Sequence, residues 1–97
     1  MYRIVWTKRS QLHMKQAFEQ ISKDSPKNAL KVLEDIIAAT SKAIPNPEVY
    51  AIDKYKRNND GSFRAFEKHH YRVAYRFSKN IIRVLWIRHT SREPKTH

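Results

Sequence analysis

Residues 71 to 88 constrain this chain more than any other stretch. From Tyr71 to Phe77 the side chains alternate, with Tyr71, Val73, Tyr75 and Phe77 in one set and Arg72, Ala74 and Arg76 in the other. A strand sends successive side chains to opposite faces, so one face is apolar and the other carries arginines. Ser78-Lys79-Asn80 then reads as a tight hairpin turn, and Ile81 to Arg88 as a more apolar strand placed centrally in a sheet. A lone hairpin is marginal in water, so its apolar face requires a cover. The cover lies upstream. Met14, Ala17, Phe18 and Ile21 form one helical stripe, which follows a candidate N-cap at Thr7 and stops near Ser22 to Asp24. Ser25-Pro26 restarts a helix with its cap and a proline at the first helical position. Ala29, Val32, Leu33, Ile36, Ile37 and Ala43 or Ile44 give the second stripe, which Pro45 and Pro47 end. So short a link predicts an antiparallel helical hairpin. Tyr2 to Trp6 alternates as a short strand, Asn58-Asn59-Asp60-Gly61 is a turn signal, and Phe63 to Lys68 reads as a strand. The expected order is β-α-α-β-β-β. This is an α+β fold, with an N-terminal helical hairpin packed on a small, mainly antiparallel sheet, in a single domain over residues 1–97.

Composition excludes several functions. One glycine in the chain leaves no way to write a glycine-rich phosphate loop, and the absence of cysteine removes thiolate nucleophiles and Cys-ligated zinc. No apolar run approaches the ~18 residues of a membrane span, and the first residues lack the pattern of a signal peptide, so the expected address is cytoplasmic with no membrane partner. No small-molecule cofactor and no metal are expected. His69-His70 is better read as a turn or edge than as a ligand pair, because adjacent strand residues point apart. His13 is expected at the surface, Trp6 and Trp86 in the core, and Glu67 in a local salt bridge to Lys68 or Arg64.

The net charge is +11, which favours a polyanionic partner. It is unevenly distributed: residues 1–53 net +2 and residues 54–97 net +9. Lys54, Lys56, Arg64, Arg76 and Arg88 are therefore candidate nucleic-acid contacts, flanking a sheet face that points away from the helices.

The order of elements, with three local segments, resembles the RelE/ParE superfamily of toxins from bacterial type II toxin–antitoxin modules. The segments are Ser25-Pro26-Lys27-Asn28-Ala29 at the start of the second helix, Phe63 through Tyr75 with Glu67-Lys68-His69-His70-Tyr71-Arg72 at its centre, and Ile82 through Pro94 with Trp86-Ile87-Arg88-His89-Thr90-Ser91-Arg92. The resemblance implies a cytosolic toxin neutralised by a cognate acidic antitoxin. It implies two possible activities, messenger RNA cleavage in the ribosomal A site and poisoning of DNA gyrase.

Metal-free RNA cleavage needs a base, a cation at the phosphorane and an acid for the leaving oxygen. By the resemblance, Arg72 matches the arginine that RelE-like members place near the scissile phosphate. His89 matches a histidine found in some nuclease members, and Arg92 is a candidate phosphate clamp. These three are the expected catalytic set of an endoribonuclease that acts on the ribosome and its mRNA. ParE-like members also carry a histidine followed three residues on by an arginine, as His89 and Arg92 are. Phe63 and Ala65 stand where RelE-like members have strand lysines, and His97 stands where many have a base-stacking tyrosine. The alternative therefore stays open: a ParE-like gyrase inhibitor without nuclease activity.

Overall fold

The protein is described by a computed structural model covering residues 1–92 and 96–97. Strand β1 is Arg3–Trp6, helix α1 Lys8–Ser22, helix α2 Pro26–Ser41, and strands β2, β3 and β4 are Phe63–Lys68, Tyr71–Ser78 and Ile81–His89. The elements follow the expected order. The sheet runs β1-β4-β3-β2, with β1 parallel to β4 and the other two pairings antiparallel. Among the described residues no helix is long and apolar enough to cross a membrane.

Both helices start where side chains satisfy the first free N–H groups. Thr7 Oγ1 accepts from the Ser10 N–H at 3.1 Å, and its hydroxyl donates to the Leu85 carbonyl at 3.3 Å, fastening the start of α1 to β4. Ser25 Oγ accepts from the Asn28 N–H at 3.1 Å, with Pro26 opening α2. The helices lie on one face of the sheet. Met14, Ala17, Val32, Ile36, Phe66, Val73, Tyr75, Ile82 and Val84 form the core between them. Tyr75 is fully buried, and its hydroxyl donates to the Pro47 carbonyl at 2.6 Å. Burial raises that phenol to about 12, so it stays a donor.

Two-residue turns close both hairpins. His69 and His70 have φ of 51° and 66°, and Lys79 and Asn80 have 51° and 65°. Positive φ at both central residues matches the right-handed twist of the strands. His69 is also tied to α2, with Nε2 2.6 Å from Asp35 Oδ2. That bond first, and Lys31 second, hold the Asp35 carboxyl below its ordinary value.

One irregularity decides what faces where. Tyr75 pairs with Val84, but Ala74 pairs with Trp86, leaving Leu85 as an extra residue in β4. A bulge of this kind reverses the alternation beyond it. Trp86 and Arg88 therefore join the face away from the helices, and Ile87 and His89 join the helix side. Trp86 is buried, but in a small separate cluster with Ala65 and Ala74, rather than in the main core where strict alternation with Ile82 and Val84 would put it. Trp6 packs on the main core.

Candidate functional site

The face away from the helices carries Arg72 and Arg76 on β3, opposite Arg88 and Arg83 of β4. Like charges directly across a ladder repel, which lowers stability unless an anion lies beside them; Arg72 has such anions in Asp53 and Glu67, whereas Arg76 faces Arg83 directly. Aromatic rings separate the cations. Arg76 and Lys56 lie 5.0 and 4.6 Å from the Phe63 ring centroid, Arg88 5.6 Å from Trp86, and Arg72 4.8 Å from Tyr55. Such stacking on rings holds guanidinium groups flat against the surface.

At one end of this face lies a buried carboxylate, Asp53, 1% exposed. Its Oδ1 accepts from Arg72 Nη2 at 2.8 Å and from the Tyr55 N–H at 3.0 Å, and its Oδ2 lies 2.8 Å from His97 Nε2. Burial pushes this carboxyl up, but the bonds from Arg72, His97 and the Tyr55 N–H outweigh it, and the group titrates below the ordinary carboxylate value. The loop is folded around the site by Asn59. Its amide donates to the Asp53 and Phe63 carbonyls, and its carbonyl accepts from the Gly61 and Phe63 N–H groups. Gly61 follows with φ of +96°, a conformation side-chain-bearing residues rarely adopt. His97 is held by its backbone as well: its N–H donates to the Tyr55 carbonyl at 2.9 Å, and its carbonyl accepts from the Arg57 N–H at 2.7 Å.

A cavity of about 110 Å³ adjoins this network and is bordered by Tyr55, Glu67, Arg72, Trp86, Arg88, His89, Thr90 and Arg92. Arg72, His89, Arg92 and Arg88, all picked from the sequence, thus meet at one place. Their states differ from what cleavage needs. Arg72 is bound to Asp53 and has Glu67 Oε2 at 3.6 Å from Nη1, so two carboxylates offset its charge. His89 Nδ1 accepts from the Ser91 N–H at 3.0 Å, which leaves the proton of the neutral ring on Nε2. That ring can donate but, while neutral, cannot act as a base.

The remaining candidates lie apart. Arg64 is on the helix side of the sheet and is committed to the loop, donating to Gly61 and Tyr50 carbonyls and to Glu48. Lys54 lies 5.3 Å from the Tyr55 ring, and Lys56 and Arg76 flank Phe63. Glu67 pairs with Arg72 across the ladder, in place of the expected Lys68 or Arg64. Tyr71 packs into the core, on the helix side of the sheet. Among the described residues no three His, Asp or Glu side chains come together as a metal site.

Three residues have partners that no sequence pattern announces. Asp53 looked like one more acid of the near-neutral half. The signal for it was local: an aspartate at i beside an N–H at i+2 is the usual Asx turn. His97 is 44 residues from Asp53 and no pattern links them. His13, expected at the surface, is half-buried and accepts the Ile87 N–H on Nδ1 at 3.0 Å, at the part of β4 that β1 does not reach. Burial first, and then Arg88, Arg9 and Arg92, lower its pKa.

Residues 4–94 match a protein family described as the ParE toxin of the type II toxin-antitoxin system, parDE. No curated protein matches the sequence significantly. Among solved structures, a chain of the chromosomal ParDE toxin–antitoxin system from P. aeruginosa superposes with a TM-score of 0.72 at 17% identity, over 92% of this chain and 96% of that one. At that identity the likeness is one of fold.

Proposed function

The chain belongs to the ParE toxin family of type II toxin–antitoxin systems, and from that premise we propose that it arrests growth by binding DNA gyrase rather than by cutting messenger RNA. Membership implies a cognate antitoxin that neutralises it. The observation that carries the choice of target is the buried pair between Arg72 and Asp53 at 2.8 Å. A cleavage centre requires a free cation where phosphorane charge develops. Here the arginine at that place is neutralised by its own loop and serves as a structural tie. The surface beside it retains what a binder of a protein–DNA complex uses: Arg76 and Arg83 directly opposite each other, with Arg88 and Lys56 nearby, interleaved with the Phe63 and Trp86 rings.

The competing reading is ribosome-dependent cleavage, with Arg92 clamping the phosphate, the imidazolium form of His89 protonating the leaving oxygen from Nε2 and returning to the neutral ring, and Glu67 as base. It rests on the shared cavity of these three residues. The two readings part in one experiment. In cells induced for the toxin alone, gyrase poisoning produces covalent gyrase–DNA complexes and a DNA-damage response while message 5′ ends stay unchanged. With purified gyrase and plasmid, supercoiling falls with added toxin. New 5′ ends within translated codons, with normal supercoiling, would overturn the gyrase proposal.

A further inference from the structure

β1 pairs with β4 only as far as Val84, whereas β4 continues to His89. Beyond Trp6 the outer side of β4 faces α1 without a neighbouring strand. A cleft of about 630 Å³ opens there, walled by His13, Gln16, Gln20, Tyr71, His89 and Arg92 over an apolar floor that includes Ala17 and Ile87. Nothing in the proposed action on gyrase uses it.

Its two imidazoles are held in the same way. His13 Nδ1 accepts the Ile87 N–H at 3.0 Å, and His89 Nδ1 accepts the Ser91 N–H at 3.0 Å. A ring nitrogen that accepts an N–H carries no proton, so both neutral rings keep their hydrogen on Nε2. Each therefore offers a donor and no free acceptor. Arg92 adds a charged donor, and Gln16, Gln20, Ser91 and Tyr71 add neutral ones. Among the described residues no carboxylate lines the cleft. Burial first, and then Arg88, Arg9 and Arg92, lower the pKa of His13 and so disfavour its charged form.

We propose that this cleft is a carboxylate-binding site that receives an acidic side chain of a protein partner, with His13 Nε2–H, His89 Nε2–H and the Arg92 guanidinium as its donors. The donor set matches one singly charged oxygen pair, because two neutral N–H groups and one guanidinium balance a carboxylate without excess charge. The floor of Ala17, Ile87 and the Tyr71 ring suits the methylene stem of the same side chain. A nucleic-acid strand repeats its charge along its length and calls for a row of full cations, which this protein presents on the opposite face of the sheet.

The test uses the full chain with its histidine rings labelled with nitrogen-15. The probes are a synthetic peptide of alternating Leu and Glu, its Leu and Gln counterpart, and a single-stranded oligonucleotide of the same net charge as the Glu peptide. The free protein is expected to show Nε2–H tautomers at His13 and His89. The Glu peptide should shift both rings saturably and the Gln peptide should not. Arg92→Ala should weaken binding about tenfold, the size of one lost charge-assisted bond. His13→Asn, which keeps an acceptor for the Ile87 N–H but removes the Nε2 donor, should weaken it while leaving the thermal transition in place. Absence of a saturable shift overturns the proposal. So does an oligonucleotide that shifts the same rings as tightly, or variants that bind the Glu peptide like the parent. Gyrase inhibition by the parent chain is measured separately, so either result stands without the other.

Discussion

The two faces of the sheet are built from the same strands and follow opposite rules. On the helix side, Val73, Tyr75, Ile82 and Val84 are fully buried, and across the β3–β4 ladder their partners are apolar. On the other side, Arg72 faces Arg88 and Arg76 faces Arg83. Burial of apolar area stabilises the first face by roughly 25 cal/mol per Å². The second loses stability to like-charge repulsion, which Asp53 and Glu67 offset at Arg72 and which an arriving anion would offset between Arg76 and Arg83. The difference teaches where to look for function: substitutions on the helix side should change stability, and those on the arginine side should change binding.

Asp53 sits where the two rules meet, and the largest effect is expected there. Asp53→Ala strands Arg72, and should cost about 3–5 kcal/mol in urea unfolding. Asp53→Ala combined with Arg72→Met should recover most of that loss. If the single variant unfolds like the parent, the network is decorative and the division between faces fails at its boundary. The same carboxylate sets an acid limb. Its folded-state pKa lies below its unfolded one, so its stabilisation is complete above the unfolded value and is lost as pH falls through the folded one. Unfolding followed against pH should therefore show a drop below about pH 4, flatter in Asp53→Asn than in the parent.

Next in size, Ile36→Ala, which opens a cavity at a side chain 1% exposed, should cost about 2–4 kcal/mol. Tyr75→Phe, which leaves the buried Pro47 carbonyl without its donor, should cost about 1–2 kcal/mol. Smallest for stability is Arg76→Ala with Arg83→Ala, expected within about 0.5 kcal/mol of the parent or slightly more stable. In binding to the proposed gyrase–DNA target the same pair should lower the salt dependence, by about one in the log–log slope for each phosphate contact removed. A pair of changes there that unfolds the protein while leaving binding intact would invert the comparison.

Much of the fold was legible because it rests on short-range patterns. The period of two in Tyr71 to Phe77 and the spacing of Met14, Ala17, Phe18 and Ile21 each require only a strand or a helix turn to express. Thr7, Ser25 and Pro26 mark helix starts by local chemistry. The site was only half legible. Arg72, Arg88, His89 and Arg92, named as candidates from the sequence, border one cavity. Arg64 lies on the helix side because it stands opposite the buried Tyr75 in the β2–β3 ladder, and two of its loop partners, the Tyr50 carbonyl and Glu48, are distant enough in sequence to leave no local pattern. His13 was missed because a free N–H on β4, 74 residues away, is what recruits it.

By itself the sequence determined the element order, the two-faced hairpin and the concentration of positive charge in the second half, since each follows from residue type and spacing along one segment. The tertiary structure alone decided three things. The extra residue Leu85 turned Trp86 and Arg88 onto the arginine face. Asp53 and His97 closed over Arg72 and changed it from a free cation into a buried tie. His13 and His89 met across a cleft with the same tautomer. The physical reason is common to all three: the charge, protonation and direction of a polar group depend on partners brought near by folding, and those partners lie far away along the chain.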